Sequence, residues 1–170
     1  MATAANPLDV CVDACILINF AIVAKVDLLA QIPDLVFHVP PEVLREMTVA
    51  EQRTQVEGVV ASGGLKMVRI EAVEELQAFA EYVGQFGKGE SACLAIATCR
   101  KWAIATDETK DRRLSREIGA KGIQIINTPG ILLKGIRHTM LTVEAADGIK
   151  AELEKNRFRM KFDSFRDLLD

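Results

Sequence analysis

The chain has 170 residues and a net charge of −3, with 49% apolar and 26% charged residues. This balance indicates a globular protein that buries a core, and it excludes disordered, collagen-like and coiled-coil classes. Aromatic residues make up only 5%, which argues against a surface of stacked rings for single-stranded nucleic acid. Positions 1–87 carry 12 acidic against 5 basic residues, and positions 88–170 carry 16 basic against 12 acidic ones. This asymmetry fits a metal-binding carboxylate pocket beside a phosphate-attracting rim, and it equally fits an uneven surface.

The first residues and the cysteines indicate the compartment. The opening MATAANPLDV lacks the basic and apolar regions of a secretory leader, and the longest apolar stretch, 14–24, is shorter than a membrane span. We therefore expect a cytoplasmic protein without membrane contact, whose cysteines stay reduced. Cys11 and Cys15 lie in apolar runs and are interpreted as small core residues.

Apolar runs alternate with helical patterns along the chain. Short runs rich in β-branched residues predict strands at 8–12, 35–39, 66–70, 102–106 and 122–126. Helical patterns follow them, beginning after Asp13 and then at 42–61, 71–83, 90–101, 108–118, 131–138 and 143–156. In the 71–83 helix one stripe is apolar, and Gly119 is expected to end the 108–118 helix. The alternation predicts an α/β fold with a mainly parallel sheet.

Acidic residues stand where strands end. Asp13 and Asp107 are each the first acid after an apolar run, so in a parallel sheet both would point into one crevice. Asp111 follows Asp107 by four residues, which predicts one shared helical face. Glu46 and Glu90 lie in the first turns of two further helices. Taken singly, each acid also fits an ordinary helix cap, a first-turn acid or a solvated helix face.

A group of carboxylates at one edge needs cations at neutral pH, because like charges repel and raise one another's pKa. Hard divalent ions prefer oxygen ligands, and the two histidines, His38 and His138, are too few for a zinc site. The natural occupant would be Mg²⁺ or Mn²⁺.

Four segments, 12–18, 39–47, 87–92 and 105–111, resemble in order and rough spacing the PIN-domain nucleases, with the nearest likeness to prokaryotic toxin-type members. The similarity covers residues 8–140 and includes the stretch 112–119. It implies a three-layer α/β/α Rossmann-like sandwich. We expect a single PIN-like domain over 1–170, with a helical tail from 141 to 170.

The resemblance implies a metal-dependent ribonuclease. Asp13 matches the first family acid, Glu46 the second with Glu42 as a competing choice, Glu90 the third and Asp107 the fourth. These four would be the catalytic acids, and the metal ligands would be Asp13, Glu90, Asp107 and Asp111.

Three further features belong to the resemblance. Asp111 matches an accessory acid, and Thr106 matches a hydroxyl residue that often precedes the fourth acid. Ala14 departs from the family, which commonly has Ser or Thr after the first Asp. Glu46 and Asp111 would hold a second ion or orient its waters, and the choice between one ion and two stays open.

Substrate binding is assigned to hydroxyl and basic residues near the fourth acid. The predicted set is Thr106, Lys110, Arg112, Arg113 and Arg116, with Lys88, Arg100 and Lys101 as additions. The cations would contact phosphates and make RNA binding sensitive to salt. The same run also fits a solvated helix face.

Several functions remain open. A toxin-type nuclease would act within a type II toxin–antitoxin pair, with an antitoxin protein in the active-site groove. The apolar segments after Gly130 would serve a homodimer or the core. The main alternative is a non-catalytic PIN-like module that binds RNA or protein. A phosphotransfer receiver or an aspartate phosphatase fits less well, because neither signature is legible.

Overall fold

The computed structural model of the chain describes residues 6–108 and 112–169, the side chain of Arg112 excepted. Within these residues, parallel strands form one sheet in the order β3-β2-β1-β4-β5. The strands are β1 (Leu8–Val12), β2 (Leu35–Val39), β3 (Lys66–Met67), β4 (Ala103–Ala105) and β5 (Ile125–Ile126). The parallel sheet and its crossover helices confirm the predicted α/β class, and they fit a PIN-like three-layer sandwich.

The helices lie between and after the strands. They are α1 (Ala14–Ile22), α2 (Val26–Gln31), α3 (Pro41–Glu46), α4 (Ala50–Ala61), α5 (Val73–Tyr82), α6 (Lys88–Arg100), α7 (Arg112–Ala120), α8 (Thr128–Arg137) and α9 (Val143–Lys155), with a final 3₁₀ turn at Phe165–Leu168. No described helix is both long and apolar enough to cross a membrane.

The register of the sheet sets the position of the candidate site. Val12 at the end of β1 pairs with Ala105 at the end of β4, and Ala105 pairs with Ile126 at the end of β5. Because all strands run in the same direction, the residues that follow these three ends lie at one edge. Asp13 and Thr128 are among them.

The core is built around the central strand and α6. Val10, Cys11 and Val12 of β1 are fully buried, and residues 92–97 of α6 are buried as well. The alanines in this stretch of α6 leave room for the helix to approach β1 and β4 closely, which fixes the position of its first turn.

The predicted helix over 42–61 is wrong as a single element. The chain forms α3 and α4 with an extended break between them, where Met47 has φ −78° and ψ 98°. The Met47 side chain is fully buried. Burying this side chain outweighs the helical pattern that runs through the break, and the β-branched Thr48 and Val49 have low helix propensity.

The predicted helix after the fourth strand is also corrected. Asp107 and Glu108 lie in irregular structure and α7 begins at Arg112, so Asp107 does not sit on a helical face shared with Asp111. Asp111, like Lys110, lies outside the described residues. The helix continues through Gly119 to Ala120, and the positive φ falls at Gly122, at +67°.

Two strands and one helix differ from expectation in extent or orientation. β3 and β5 contain two residues each, against the five predicted for each run. The predicted apolar stripe of α5 does not pack as a unit: Val73 is 64% exposed and Leu76 52%, Phe79 is half-buried against the core, and the charged Glu75 is buried.

Candidate active site

Asp13 ends the central strand and caps α1. Its side chain accepts a hydrogen bond from the Ala14 amide at 2.8 Å, so it satisfies one of the free N–H groups at the start of the helix. The residue is only 5% exposed. The Thr106 hydroxyl, at the end of β4, donates to Asp13 Oδ2 at 3.2 Å. Two neighbouring strand ends therefore hold this carboxylate in one orientation.

Glu90 and Glu46 meet at the beginning of α6. The Gly87 amide donates to Glu90 Oε2 at 3.2 Å, and the Gly89 amide donates to Glu46 Oε1 at 2.7 Å. Both carboxylates thus lie at the positive end of the α6 dipole, which favours negative charge. A Cβ on Gly89 would meet Glu46 Oε2 at 2.6 Å, so only glycine permits this contact without displacing Glu46.

The charges of these acids act on one another. Burial raises the pKa of Asp13, and the charge of Glu46 raises it further. Burial also raises the pKa of Glu90, and the charges of Asp13, Glu108 and Glu46 add to that effect. The structure thus brings Asp13, Glu46 and Glu90, carried by three separate elements, within electrostatic reach of one another.

Glu42, the competing second acid, faces a different partner. It lies one turn before Glu46 on α3 and forms an ion pair with Arg45 at 3.5 Å. The geometry therefore favours Glu46 over Glu42 as the second acid of the site.

Asp107 is connected to Asp13 through Cys15, but its own carboxylate is held by different residues, Thr128 and Asn19. Oδ1 accepts a hydrogen bond from the Thr128 amide at 2.8 Å, and Oδ2 accepts one from the Asn19 amide group at 2.9 Å and one from the Thr128 hydroxyl. Burial raises the pKa of Asp107, while the hydrogen bonds from Thr128 and Asn19 oppose that rise.

Cys15 connects Asp13 with Asp107. Its thiol donates to Asp13 Oδ2 at 3.4 Å, accepts from the Asp107 amide at 3.3 Å and lies 3.5 Å from the Thr106 hydroxyl. Burial and the charges of Asp13 and Asp107 raise the pKa of this thiol to about 12, so it stays protonated and donates. Ala14 has no polar side chain, and the half-buried thiol one residue later supplies a polar contact to Asp13.

A small pocket opens beside these acids. Asp13, Glu90 and Thr106 form its polar side, and apolar residues of α6, β4 and α7 form the rest. Leu114 and Ile118 line it from α7. Arg113 and Arg116, on the same helix, are exposed. They are carried by the helix that forms this wall of the pocket.

The donor set suits a hard divalent ion. Asp13, Glu46 and Glu90 offer carboxylate oxygens, and their mutual repulsion is of the kind that a cation relieves. Among the residues that the structure describes, no three Asp, Glu, His or Cys side chains already stand in the arrangement of a metal site. The fit to Mg²⁺ or Mn²⁺ therefore rests on the oxygen chemistry of the donors and not on a preformed coordination geometry.

The other predicted site residues fall into three groups: buried, distant from the acids, or outside the described residues. Thr106 is buried, and its hydroxyl accepts a hydrogen bond from the Glu108 amide at 3.1 Å while it donates one to Asp13. It therefore positions Asp13 and is not exposed on the surface. Arg100 pairs with Glu75 near the far end of α6, and Lys101 follows it, so neither extends the basic surface near Glu90. Lys110 and the side chain of Arg112 lie outside the described residues.

Sequence reasoning missed three polar residues of the site: Cys15, Asn19 and Thr128. Asn19 had a signal, because it is a polar residue inside the apolar pattern of α1. Thr128 had one too, because it follows a predicted strand just as Asp13 and Asp107 do. Cys15 had none, because it stands in an apolar run that is typical of a core cysteine, and its partners Thr106 and Asp107 are remote in sequence.

The comparisons with known proteins agree with this fold. The DUF3368 family, described as a PIN domain, matches residues 9–170, so the chain belongs to this PIN-domain family. PIN domains are generally nucleases and typically use divalent metals. No curated protein matches the chain.

Proposed function

We propose that this PIN-domain protein is a divalent-metal-dependent ribonuclease that hydrolyses RNA phosphodiester bonds. The observation that carries the proposal is that Asp13 and Glu90 line one pocket at the carboxyl edge of a parallel sheet, with Glu46 held at the start of the same helix as Glu90 and within electrostatic reach of both. Buried acids that raise one another's pKa are costly for a fold, and they are frequent at functional sites.

Asp13 and Glu90 are the proposed principal ligands of Mg²⁺ or Mn²⁺. A divalent ion at this position supplies polarisation of the phosphoryl oxygens and a water of lowered pKa. Glu46 is held by the Gly89 amide and adds negative charge on the α6 side. Asp107 and Asp111 complete the proposed set, with Asp111 outside the described residues.

The remaining residues position these acids or bind substrate. Thr106 and Cys15 hold Asp13 Oδ2, and Thr128 and Asn19 hold Asp107. Such contacts to metal ligands fix the orientation of the ligand. Arg113 and Arg116, together with Lys110 and Arg112, would bind phosphates, so affinity for RNA would fall as salt increases.

The test is cleavage of a generic RNA by the purified chain. We expect cleavage with Mn²⁺ or Mg²⁺, none with EDTA, and recovery when the ion is restored. Asp13→Asn should keep the fold by circular dichroism and lose more than about a hundredfold in rate. Cleavage that persists in EDTA, or in Asp13→Asn at the wild-type rate, would contradict the proposal.

A non-catalytic PIN-like module that binds RNA or protein is the second candidate. It is favoured by Ala14, which lacks the hydroxyl common in the family, and by the Asp107 carboxylate, whose oxygens are already occupied by Thr128 and Asn19. This candidate requires RNA binding without cleavage under every divalent ion supplied.

The toxin role belongs to the same proposal. A toxin of this class would slow growth when expressed in a bacterial host, whereas its Asp13→Asn variant would not, and an antitoxin would cover the pocket beside Asp13. A homodimer is proposed from the apolar segments after Gly130, although Ile131 and Leu132 are buried in the protein's own core. Light scattering of the purified chain, with a monomer of 18.7 kDa, tests that dimer.

A further inference from the structure

The segment 156–163, which follows α9, alternates basic and apolar residues, and the structure separates the two kinds. Arg157, Arg159 and Lys161 are exposed. Between them, Phe158 is half-buried against the core and Met160 is only 8% exposed. The three exposed cations are referred to here as the basic row. The alternation in sequence therefore becomes an outer side of cations and an inner side of apolar groups.

Hydrogen bonds at both ends of this segment hold the basic row in place. At the near end, the amides of Arg157 and Phe158 donate to carbonyls in the last turn of α9, at 3.2 and 3.0 Å. At the far end, Asp147 of α9 accepts from the Ser164 hydroxyl at 2.7 Å and from the Phe165 amide at 2.9 Å. The segment that carries the cations is thus fixed before a ligand binds, which lowers the entropy cost of binding.

The protein itself does not neutralise the charge of the basic row. Among the described residues, none of the three cations has a carboxylate within ion-pair distance. The acids that precede the row are paired with other cations: Glu152 with Lys155 at 3.1 Å, and Glu154 with Lys150 at 2.9 Å. Asp163 is the one acid within the segment. The row therefore presents uncompensated positive charge to the solvent.

The composition of this outer side distinguishes between two kinds of anionic ligand. Every large apolar side chain of 156–163 is at least partly buried, so the row offers charge without an apolar centre. Interfaces with proteins have an apolar centre, whereas a nucleic-acid backbone is bound through its phosphates alone. Cations that follow one another along a chain also suit an anion whose charges repeat along a chain, and arginine can bind a phosphate with two hydrogen bonds. The row therefore fits a phosphate backbone better than an acidic protein.

We infer that Arg157, Arg159 and Lys161 bind the phosphates of single-stranded RNA and form a contact surface in addition to the candidate active site. None of the three lines the pocket beside Asp13, so they supply affinity and not chemistry. The inference rests on the proposed function for its ligand, RNA, but it does not require cleavage. Phosphate contacts carry no sequence information, and these contacts need no metal ion.

The test is the salt dependence of RNA binding by the full chain. The probe is a fluorescently labelled oligouridine, and its anisotropy is followed in EDTA at several salt concentrations. The wild type should bind, with the logarithm of the affinity falling linearly with the logarithm of the salt concentration. The triple variant Arg157→Gln, Arg159→Gln and Lys161→Gln should reduce that slope by about 2, because each contact with a single strand contributes about 0.7. Its affinity at low salt should fall by at least about tenfold.

A matched control separates the position of the charges from their number. The triple variant Lys25→Gln, Lys66→Gln and Arg69→Gln removes three exposed cations elsewhere, so both triple variants have the same net charge. The control should keep the wild-type slope, and both should keep the wild-type circular dichroism spectrum. Arg157→Gly gives a single-residue test. Arg157 has φ +69°, which glycine adopts without steric cost, so this variant should melt no lower than the wild type while its slope falls by about 0.7.

Cleavage assays with Mn²⁺ distinguish failure of this inference from failure of the proposed ribonuclease. In an active enzyme, the triple variant of the basic row should raise KM for RNA with little change in kcat. Binding that depends on the row, without cleavage by the wild type, would contradict the ribonuclease and support the row. The inference is overturned if the wild type does not bind oligouridine, or if the row variant keeps the wild-type slope. It is also overturned if the control triple loses as much slope, or if a polyglutamate peptide binds more tightly than oligouridine at the same salt.

Discussion

At the scale of single residues, the Asp13 carboxylate is held by a hydroxyl, a thiol and an amide. Thr106 and Cys15 both donate to Oδ2, and the Ala14 amide donates to Oδ1. These donors compensate part of the cost of burying the charge. They also fix the direction in which the carboxylate's remaining lone pairs point.

Replacing Cys15 tests whether its thiol positions Asp13. Cys15→Ala removes the contacts with Asp13 and with the Asp107 amide, and we expect about a tenfold loss of kcat for RNA cleavage with little change in KM. Cys15→Ser keeps a donor of similar reach and should restore most of the rate. If Cys15→Ala cleaves at the wild-type rate, the thiol is only a packing group.

The choice between Glu46 and Glu42 is testable with a matched pair of variants on α3. Glu46→Gln removes a charge that acts on Asp13 and Glu90, so cleavage should fall at least about tenfold. Glu42→Gln removes an ion pair with Arg45 and should leave the rate nearly unchanged. Equal losses in the two variants would contradict the assignment of Glu46.

At the scale of elements, the first turn of α6 brings Glu90 and Glu46 together through glycine amides. Gly89→Ala keeps the amide but places a Cβ 2.6 Å from Glu46 Oε2, so the flexible glutamate must move away. We expect lower cleavage without loss of stability, because alanine favours the helix by about 1 kcal/mol. Gly58→Ala in α4, where nothing lies within 4 Å of a Cβ, is the control and should leave cleavage unchanged. Full activity of Gly89→Ala would exclude a role for the Glu46–Gly89 contact.

The ion pair between Glu75 of α5 and Arg100 of α6 makes the free energy of unfolding depend on pH in the acid range. The Arg100 guanidinium beside Glu75 lowers the pKa of that carboxyl from 4.5 to about 2. The folded state therefore binds this proton less readily than the unfolded chain, so the stabilisation is complete above about pH 4.5 and is lost as the pH falls toward 2.

Glu75→Gln should lower the free energy of unfolding at pH 7 by about 1.5–3 kcal/mol and should flatten its decline between pH 4.5 and 2. Urea unfolding across that range measures both effects. Glu57→Gln removes an exposed pair with Arg53 at 3.7 Å and should change stability by less than about 1 kcal/mol. A Glu75→Gln variant as stable as wild type would contradict this role.

The sequence predicts a helix or strand well where the interactions that form it are between residues close in sequence, and poorly where they are not. β1 and β2 match their predicted limits, because apolar β-branched runs between turn residues indicate buried strands. The break between α3 and α4 follows from the burial of Met47, which no local pattern reports. The orientation of α5 is set by the pairing of Glu75 with Arg100, which is remote in sequence.

The residues of the candidate site also differ in how far the sequence alone predicts their positions. Asp13 and Glu90 were predictable, because each follows a strand or opens a helix at the carboxyl edge of a parallel sheet. The shared face predicted for Asp107 and Asp111 fails at Asp107, which precedes α7. The bonds from Thr128 and Asn19 to Asp107 required three segments to be folded together.

At the scale of the whole molecule, the sheet order gathers acids from separate segments at one edge. Asp13 lies at the end of β1 in the middle of the sheet, with Thr106 beside it at the end of β4. Helix α6 brings Glu90 to the same edge, and α3 brings Glu46. The first half of the sequence supplies Asp13 and Glu46, and the more basic second half supplies Glu90 together with α7, which carries Arg113 and Arg116.

Direct metal binding tests this arrangement most closely. Electron paramagnetic resonance of Mn²⁺, titrated into the purified chain, measures the free ion and hence the ion bound. We expect saturable binding that Mg²⁺ displaces, with strong loss in Asp13→Asn and Glu90→Gln at unchanged circular dichroism, and none in Glu42→Gln. Binding of equal strength in wild type, Asp13→Asn and Glu90→Gln, or no binding in any of them, would contradict a divalent-ion site built on these carboxylates.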